Sequence, residues 1–396
     1  MSVIDVVLWM LVGAAFLPAH RAAWQHGLPA LVAVVLLDAM VLALVAIAAV
    51  DGALWSRLAR EDGVIEWATV AAFALAGALH VAHARRALRA HRAPRLELVG
   101  RAAFAVFCAF VAGEEISWGQ RLFGFKPPDA FLERNYQQEL NLHNVLMDES
   151  GLGFALESKH VVAFLAVAFA VALPLLVRWR PLAGARALAP PLALLPAALV
   201  IVAAELSYPV ELTGEGAELL LGLLLLAAVA LEGYPAVTHV GLALAAPLVV
   251  GLVTAPVVAR VMYGDDEAGS AQARAELALL RADVEAGGAT ARLLRKGSIH
   301  KRVFTAVRDE YLALAGRSFL EGQGTAAEAG AASVRHDRRG YFLDPWNNPY
   351  WVVWDKKEGR LALYSFGPNR LRDTEVRERD RAAGDDLLVV VELPRP

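Results

Sequence analysis

The chain has 396 residues, of which 57% are hydrophobic, and a formal net charge of −3. A soluble globular protein is nearer half apolar, so this excess indicates membrane-embedded segments. The small negative charge argues against nucleic-acid binding, which needs a basic surface, and the single cysteine, Cys108, excludes a disulfide within the chain.

Long apolar runs are confined to residues 1–262. A bilayer-spanning helix needs roughly 20 predominantly apolar residues, and the first run lacks the positive segment of a cleaved signal peptide. We therefore predict an α-helical multi-pass membrane domain over residues 1–262 and a water-soluble domain over 263–396. Eight spans are predicted, with seven as the alternative because the first and seventh are short: about 3–19, 29–50, 63–84, 100–118, 159–178, 188–207, 216–232 and 236–260.

Basic residues predict the orientation of these spans. Arginines crowd the connection after the third span and the one after the fifth, and short Lys/Arg-rich loops stay in the cytoplasm. With eight spans, both the N-terminus and the soluble domain then lie outside, which in a bacterium means the periplasm. The arginines are Arg85, Arg86, Arg89, Arg92, Arg95 and Arg101 in the first connection, and Arg178, Arg180 and Arg186 in the second.

Polar residues gather at the predicted outer ends of the spans. Glu114 and Glu115 close the fourth span directly after an almost purely apolar run. Consecutive helical residues point about 100° apart, so we expect at least one of the two to face the interior of the bundle. The other outer polar residues are Glu66, Gln120, Arg121, Glu139, Asn141, His143, Asn144, His160, Glu205, Glu211, Glu215 and Glu218.

One interpretation of these residues is a metal or acid/base site. Glu114, Glu115 and His143 would form it, joined by His160 and Glu218. Carboxylate oxygens with imidazole suit Zn²⁺, Mn²⁺ or Fe²⁺, so a divalent transition metal is a candidate cofactor. Without a metal, the same groups serve as general acid and base.

Two other interpretations of the outer residues remain open. In the structural one, Glu114 and Glu115 pair with Arg121 and Arg134, and amide side chains fasten the loop 119–158 onto the bundle. In the other, the cluster binds a ligand or ion without chemistry. The segment 113–144, with EEISWGQR and NLHN, resembles a stretch of uncharacterised bacterial multi-pass membrane proteins, and this resemblance implies no particular reaction.

Some polar residues lie deeper in the predicted spans. Asp38 is near the middle of the second span, where a carboxyl group is expected to be protonated or hydrogen-bonded to another helix. His80 and His83 are three residues apart and share one helix face near the inner end of the third span. Their neighbourhood to the basic loop favours an interfacial role over a ligand role.

The soluble domain is predicted to be α+β. Residues 270–285 form an amphipathic helix with Ser270 as the N-cap, an apolar stripe of Leu277, Leu280 and Val284, and glycines after its end. A second helix is predicted over 298–320. Short strands are predicted at 341–343, 350–354, 360–365 and 387–392.

The order DPWNNPY (344–350), LYSFGPN (363–369) and GDDL (384–387) resembles the C-terminal domain of the major pseudopilin of type II secretion systems. The resemblance covers about 250–396 and implies a periplasmic domain with a calcium loop. The matching loop offers Asn369, Asp373, Asp385 and Asp386 as calcium ligands. It departs from the family pattern in its five arginines, and the eighth span lacks the family's polymerising Glu, so no pilus assembly is expected.

The predicted function follows from these two halves. The first hypothesis is an inner-membrane protein whose pseudopilin-like periplasmic domain recognises a secretion or envelope protein without polymerising. The alternative is a membrane-embedded hydrolase or transferase that acts on a lipid-type substrate at the outer face. A transporter ranks last because no internal repeat or broken-helix signature is visible in the sequence.

Overall fold

The computed structural model describes two compact units. Residues 1–118 and 129–256 belong to the first unit, and residues 119–128 and 257–396 belong to the second. The described residues are 3–60, 62–90, 94–123, 128, 140–142, 158–210, 212–233, 236–263, 266–287, 344–346, 348, 350–355, 359–370, 372–374 and 381–392.

Apolar helices dominate residues 3–263. A π-helical turn at Ala168–Ala172 joins α7 to α8, and 3-10 segments at Arg180–Leu188 and Leu192–Leu194 lead into α9. The helices are α1 (Val3–His26), α2 (Leu28–Val50), α3 (Gly52–Ala59), α4 (Val64–Arg89), α5 (Arg95–Glu115), α6 (Gln120–Phe123), α7 (Ser158–Val167), α8 (Leu173–Leu176), α9 (Leu195–Ser207), α10 (Thr213–Gly233) and α11 (Val237–Tyr263).

Seven of the described helices are long and apolar enough to cross a membrane. The pair Arg180–Leu188 and Leu192–Ser207, bent by 66°, gives eight if it counts as one broken span. These features suit a multi-pass membrane protein. The predicted first and seventh spans, suspected of being too short, are among the seven, and the predicted sixth span lies in the bent pair. Three predicted bounds were too short: α1 continues to His26, α4 continues to Arg89, and α5 begins at Arg95. Of the six arginines assigned to the connection between the third and fourth spans, only Arg92, which lies outside the described residues, is not in a described helix.

Helix α10 lies at the centre of the first unit, where it packs against α2, α4, α7 and α9. Helix α4 packs against both α10 and α5, and small residues let these helices approach closely. A Cβ on Gly222 would lie 3.0 Å from Ala72, and one on Gly77 would lie 3.1 Å from Cys108. The seam between α4, α5 and α10 is therefore closely packed through its apolar middle.

Each helix of this seam carries an ionisable residue at both ends. In every case the two residues are 14 positions apart, which is close to four helical turns and about 21 Å along the axis. The two residues of each pair consequently lie on the same face of their helix. Helix faces that pack together near one residue of the pair therefore also pack together near the other. The pairs are Glu66 and His80 in α4, Arg101 and Glu115 in α5, and Glu218 and Glu232 in α10.

The second unit contains helix α12 (Asp266–Glu285) and the strands β1 (Trp351–Asp355), β2 (Arg360–Ser365) and β3 (Leu387–Glu392). The strands form an antiparallel sheet in the order β1-β2-β3, with Trp351 opposite Tyr364 and Ser365 opposite Leu387. These strands confirm three of the four predicted ones. The predicted strand 341–343 and helix 298–320 lie outside the described residues.

Helix α12 packs against β3 and β2 through the predicted apolar stripe, which is buried. The helix begins at Asp266 and not at Ser270, because Asp266 and Glu267 supply the acidic first turn that favours a helix start. Tyr350 donates its hydroxyl hydrogen to the buried Glu276 carboxylate. Gln272 donates to the other oxygen of Glu276 at 3.0 Å.

Candidate functional site

Three glutamates converge at the end of the seam where α5 stops and α10 starts. Each of Glu115, Glu215 and Glu218 offers a carboxylate oxygen, and these oxygens all lie within 4.8 Å of one another. We call these three residues the glutamate cluster. Glu115 and Glu218 repel one another when both carboxylates are ionised at this distance, which favours a proton or a cation between them.

Two further carboxylates surround the glutamate cluster. Glu205, in the last turn of α9, is 1% exposed, and its Oε1 has no hydrogen-bond partner among the described residues. Glu66, in the first turn of α4, accepts a hydrogen bond from the Asp62 backbone at 2.6 Å and lies within electrostatic reach of Glu115. Lys159, at the start of α7, is a nearby positive charge that acts on Glu205.

The neighbouring Glu114 has a different role. The Trp118 indole donates to its Oε1 at 2.5 Å, and the Leu142 backbone donates to its Oε2 at 2.7 Å. The Asn141 amide donates to the Glu114 carbonyl at 3.2 Å. Glu114 is buried and fastens residues 141–142 to the end of α5, whereas Glu115 belongs to the glutamate cluster.

Unusual backbone conformations surround the cluster. Ser117 and Trp118, directly after α5, and Tyr208 and Leu212, between α9 and α10, have positive φ angles, as does Asp62 before α4. Such conformations cost of order 1–3 kcal/mol each in residues other than glycine and persist where the surrounding structure enforces them. They are concentrated in the three connections that carry the carboxylates to one place.

Tyr208 lies beside the carboxylates, just beyond α9. Burial raises the pKa of its phenol above the usual value; a backbone hydrogen bond at Gly214 lowers it, and Glu205, Glu215 and Glu218 raise it further. Negative charge next to the hydroxyl disfavours the tyrosinate form. Tyr208 is therefore a neutral phenol beside the cluster.

The other residues proposed from the sequence lie in several places. His160 is exposed at the start of α7, and Gln120 is buried in α6. The Arg121 side chain, Glu139, His143, Asn144, Arg134 and Glu211 lie outside the described residues. Of the two histidines proposed for the site, His143 lies outside the described residues and His160 is exposed, and the described donors of the cluster are carboxylate oxygens.

A second polar group occupies the opposite end of the seam. Arg101 is 2% exposed and forms ion pairs with Glu97, at 2.8 Å, and with Glu232. His83 lies 3.7 Å from Glu232, and His80 stacks on Phe104 with ring centroids 5.0 Å apart. We call Arg101, Glu97, Glu232 and His83 the arginine network.

His80 and His83 are buried within the bundle, because α5 and α10 cover the face of α4 on which they lie. The interfacial role predicted for them stays a prediction. Their partner Glu232 was not singled out in the sequence, since it follows a long leucine-rich run and has no polar neighbour on its helix.

Asp38 is bound to another helix, as the sequence predicts. Its Oδ2 lies 2.9 Å from Nε2 of His20 in α1. His20 was missed because the first span was expected to end before it. The contact links α1 and α2, which are joined only by Gly27.

The proposed calcium loop brings its carboxylates together. Asp373, Asp385 and Asp386 each offer an oxygen within 4.8 Å of the others. Asn369 donates through its backbone to Asp385 at 2.8 Å and through its amide to Asp373 at 2.7 Å. Burial is the largest cause of a raised pKa at both Asp385 and Asp386.

Comparison with known proteins does not identify the chain: no family model, curated protein or solved structure matches it. The functional assignment therefore rests on the geometry of these groups.

Proposed function

We propose that this protein is a membrane-embedded hydrolase or transferase that works at the glutamate cluster on a lipid-type substrate. The observation that carries the proposal is the convergence of Glu115, Glu215 and Glu218 from two helices, beside the buried Glu205. Gathering like charges at the end of apolar helices is costly. A purely structural role would be served better by apolar residues or by oppositely charged pairs.

The Glu115–Glu218 contact suits acid/base chemistry. Two carboxyl groups that share one proton place a base and an acid side by side. The ionised group accepts a proton from the attacking water or hydroxyl, and the protonated group donates one to the departing oxygen. Both groups return to their starting state after the next proton exchange with water.

The location of the cluster supports a lipid-type substrate. Its members are half-buried where α5 ends and α10 begins, at the level where a lipid headgroup meets water. The arginine-rich connections after α4 and α8 follow the opposite helix ends. Under the rule that positive loops stay inside, the cluster faces the outside, which is the periplasmic side of a bacterial inner membrane.

The experiment uses a bacterial strain in which the gene is deleted and then supplied again as the wild type, Glu115→Gln or Glu218→Gln. The lipid composition of these strains is compared at equal amounts of the protein in the membrane. We expect each variant to lose the wild-type lipid change by at least about a hundredfold, because general acid/base groups contribute roughly 10²–10⁴ in rate. Asp51→Asn is the matched control: Asp51 is an exposed N-cap at the same end of the bundle, and Asn caps a helix equally well.

This proposal fails if wild type, Glu218→Gln and the empty vector give the same lipid composition. It also fails if Asp51→Asn is as defective as Glu218→Gln, since the effect would then not be specific to the cluster.

A second candidate function is partner binding by residues 263–396. We propose that they form a periplasmic pseudopilin-like domain that recognises a secretion or envelope protein and binds calcium through Asn369, Asp373, Asp385 and Asp386. The supporting observation is the turn of the DPWNNPY segment, in which Asp344 Oδ1 accepts the Trp346 and Asn348 backbone hydrogens at 3.0 and 2.8 Å. This turn leads directly into β1.

The test of this candidate is site-specific photo-crosslinking in intact cells from exposed positions such as Arg372 and Arg381. We expect a discrete crosslinked envelope protein from at least one position. Crosslinking that yields only lipid or monomer from every exposed position of the domain contradicts partner binding.

A further inference from the structure

We propose that the glutamate cluster, with the buried Glu205 beside it, binds one divalent cation of the class that prefers oxygen ligands, such as Mg²⁺, Mn²⁺ or Ca²⁺. The inference rests on the proposed function in taking the same cluster as the working site, with the ion in place of the proton shared by Glu115 and Glu218. It goes further by naming a cofactor class and three ligands, of which Glu215 was not selected as a site ligand from the sequence.

The spacing of the oxygens suits a single ion. Oxygen ligands lie about 2.0–2.1 Å from Mg²⁺ and 2.3–2.6 Å from Ca²⁺, so two oxygens on one ion are at most about 4–5 Å apart. The three cluster oxygens lie within 4.8 Å of one another. One ion at their centre would thus contact Glu115, Glu215 and Glu218 with only small side-chain movements.

Glu205 provides an independent indication of a ligand. Its side chain is 1% exposed, and Oε1 has no hydrogen-bond partner among the described residues. A buried polar atom without a partner costs about 1–3 kcal/mol, and more when it is charged. Its Oε1 lies 3.9 Å from the position of a Cβ on Gly214, next to Glu215, and the carboxylate acts electrostatically on Glu218. The unsatisfied oxygen therefore lies close to the start of α10, the helix that carries Glu215 and Glu218.

The charges around the cluster also call for a cation. Glu66 adds a further negative charge near Glu115, while Lys159 offers one positive charge near Glu205. A divalent ion would offset two negative charges next to the buried Glu205. Acidic side chains without such compensation would instead have to bind protons.

The donor set selects the class of ion. The described ligands are carboxylates, which favour hard cations, whereas Zn²⁺ and Cu²⁺ sites are typically built with histidine or cysteine. The half-buried positions of Glu115, Glu215 and Glu218 leave the cluster open to water, so an ion can enter from the end of the bundle and retain water ligands.

The experiment uses the full-length protein in lipid nanodiscs and titrates Mn²⁺ alone, with bound ion measured by electron paramagnetic resonance and by mass spectrometry of the metal content. We expect the wild type to bind one more Mn²⁺ per chain than Glu218→Gln or Glu205→Gln. Mn²⁺ bound at the Asp373–Asp386 loop remains in these variants and is removed separately by Asp386→Asn. Asp51→Asn should bind Mn²⁺ like the wild type.

Thermal unfolding distinguishes the loss of the cation site from a folding defect in a variant. Without metal, Glu218→Gln should unfold at the same or a higher temperature than the wild type, because it removes like-charge repulsion. Mn²⁺ or Mg²⁺ should then raise the unfolding temperature of the wild type and of Asp386→Asn, but not that of Glu218→Gln.

The outcomes separate this inference from the proposed function. Equal Mn²⁺ stoichiometry in wild type and both glutamine variants, with no metal-dependent shift in unfolding, overturns the cation site even if the lipid change depends on Glu218. Loss of one bound ion in Glu218→Gln without any lipid change establishes the cation site and removes the enzyme assignment.

Discussion

Replacing Tyr350 by phenylalanine tests how helix α12 is held against the strands of the second unit. Tyr350 immediately precedes β1, and its hydroxyl donates to Glu276 in the middle of α12, 74 residues earlier. Both side chains are 0% exposed. The substitution removes one hydroxyl group and leaves the apolar packing of the ring unchanged, so that its effect reports on the hydrogen bond.

The magnitude follows from the charge and burial of the acceptor. Hydrogen bonds to charged groups contribute about 1.5–3 kcal/mol. Gln272 still binds Oε1 of Glu276 at 3.0 Å in the variant, which limits the loss. We therefore expect Tyr350→Phe to lower the local free energy of opening by about 2 kcal/mol, or about 30-fold in the opening equilibrium.

The assay is hydrogen–deuterium exchange of the full-length protein in nanodiscs, followed in peptides from α12 and β3. We expect amides of both elements to exchange about 30-fold faster in Tyr350→Phe, since they open together. Tyr364→Phe is the matched control. Tyr364 is also buried, but its hydroxyl faces the exposed Arg372, so we expect at most about a twofold change.

A double-mutant cycle with Glu276→Gln completes the test. Coupling between Tyr350 and Glu276 should be about 1–2 kcal/mol, within the range for residues in direct contact. If Tyr350→Phe changes exchange by less than twofold, or if the two substitutions are additive, the helix does not pack on the sheet as described.

Three further substitutions test other contacts. Gly269→Val places a Cβ within 2.9 Å of the Trp346 ring, so we expect about 1–3 kcal/mol of lost stability in the same exchange assay; unchanged exchange contradicts the contact. Glu232→Gln removes an ion-pair partner of the buried Arg101, and we expect a loss of about 2 kcal/mol in stability, measured by thermal unfolding in detergent. This is less than the roughly 3–5 kcal/mol lost when a fully buried ion pair is broken, because Glu232 is 30% exposed. Replacing both residues by leucine should cost less than Glu232→Gln alone, and a larger loss would argue against the ion pair. Burial raises the pKa of Asp386 in the folded state, so the folded domain binds a proton that the unfolded chain at the same pH does not. Without calcium, the protection of β3 against exchange should therefore rise as the pH falls from neutral toward the unfolded-state pKa near 3.9. Asp386→Asn should lose this pH dependence.

Several features of this protein follow from local sequence patterns. Apolar runs of about 20 residues predicted the spans, and the period of the apolar residues predicted α12 and the three described strands. These predictions succeed because each depends on neighbours along one chain segment. The same local information also placed the carboxylates at one end of the bundle, since their depth in a span can be counted from its ends.

Which residues meet was decided by tertiary structure. Glu114 and Glu115 are indistinguishable in the sequence, yet one binds Trp118 and the other contacts Glu218, 103 positions later. Arg101 and Glu232 are 131 positions apart. A hydropathy pattern shows that a residue is polar within an apolar helix, but it does not show which face of which other helix covers it.

The physical reason is that pairing depends on how helices pack. The 14-residue spacing in α4, α5 and α10 is present in the sequence, but it acquires meaning only when close-packed small residues such as Gly77 and Gly222 bring the three faces together. The amino-acid sequence by itself determined which segments are apolar enough to cross a membrane and where the charged residues are located along each helix. Only the packing of the helices decided that these charges form a glutamate cluster at one end and an arginine network at the other.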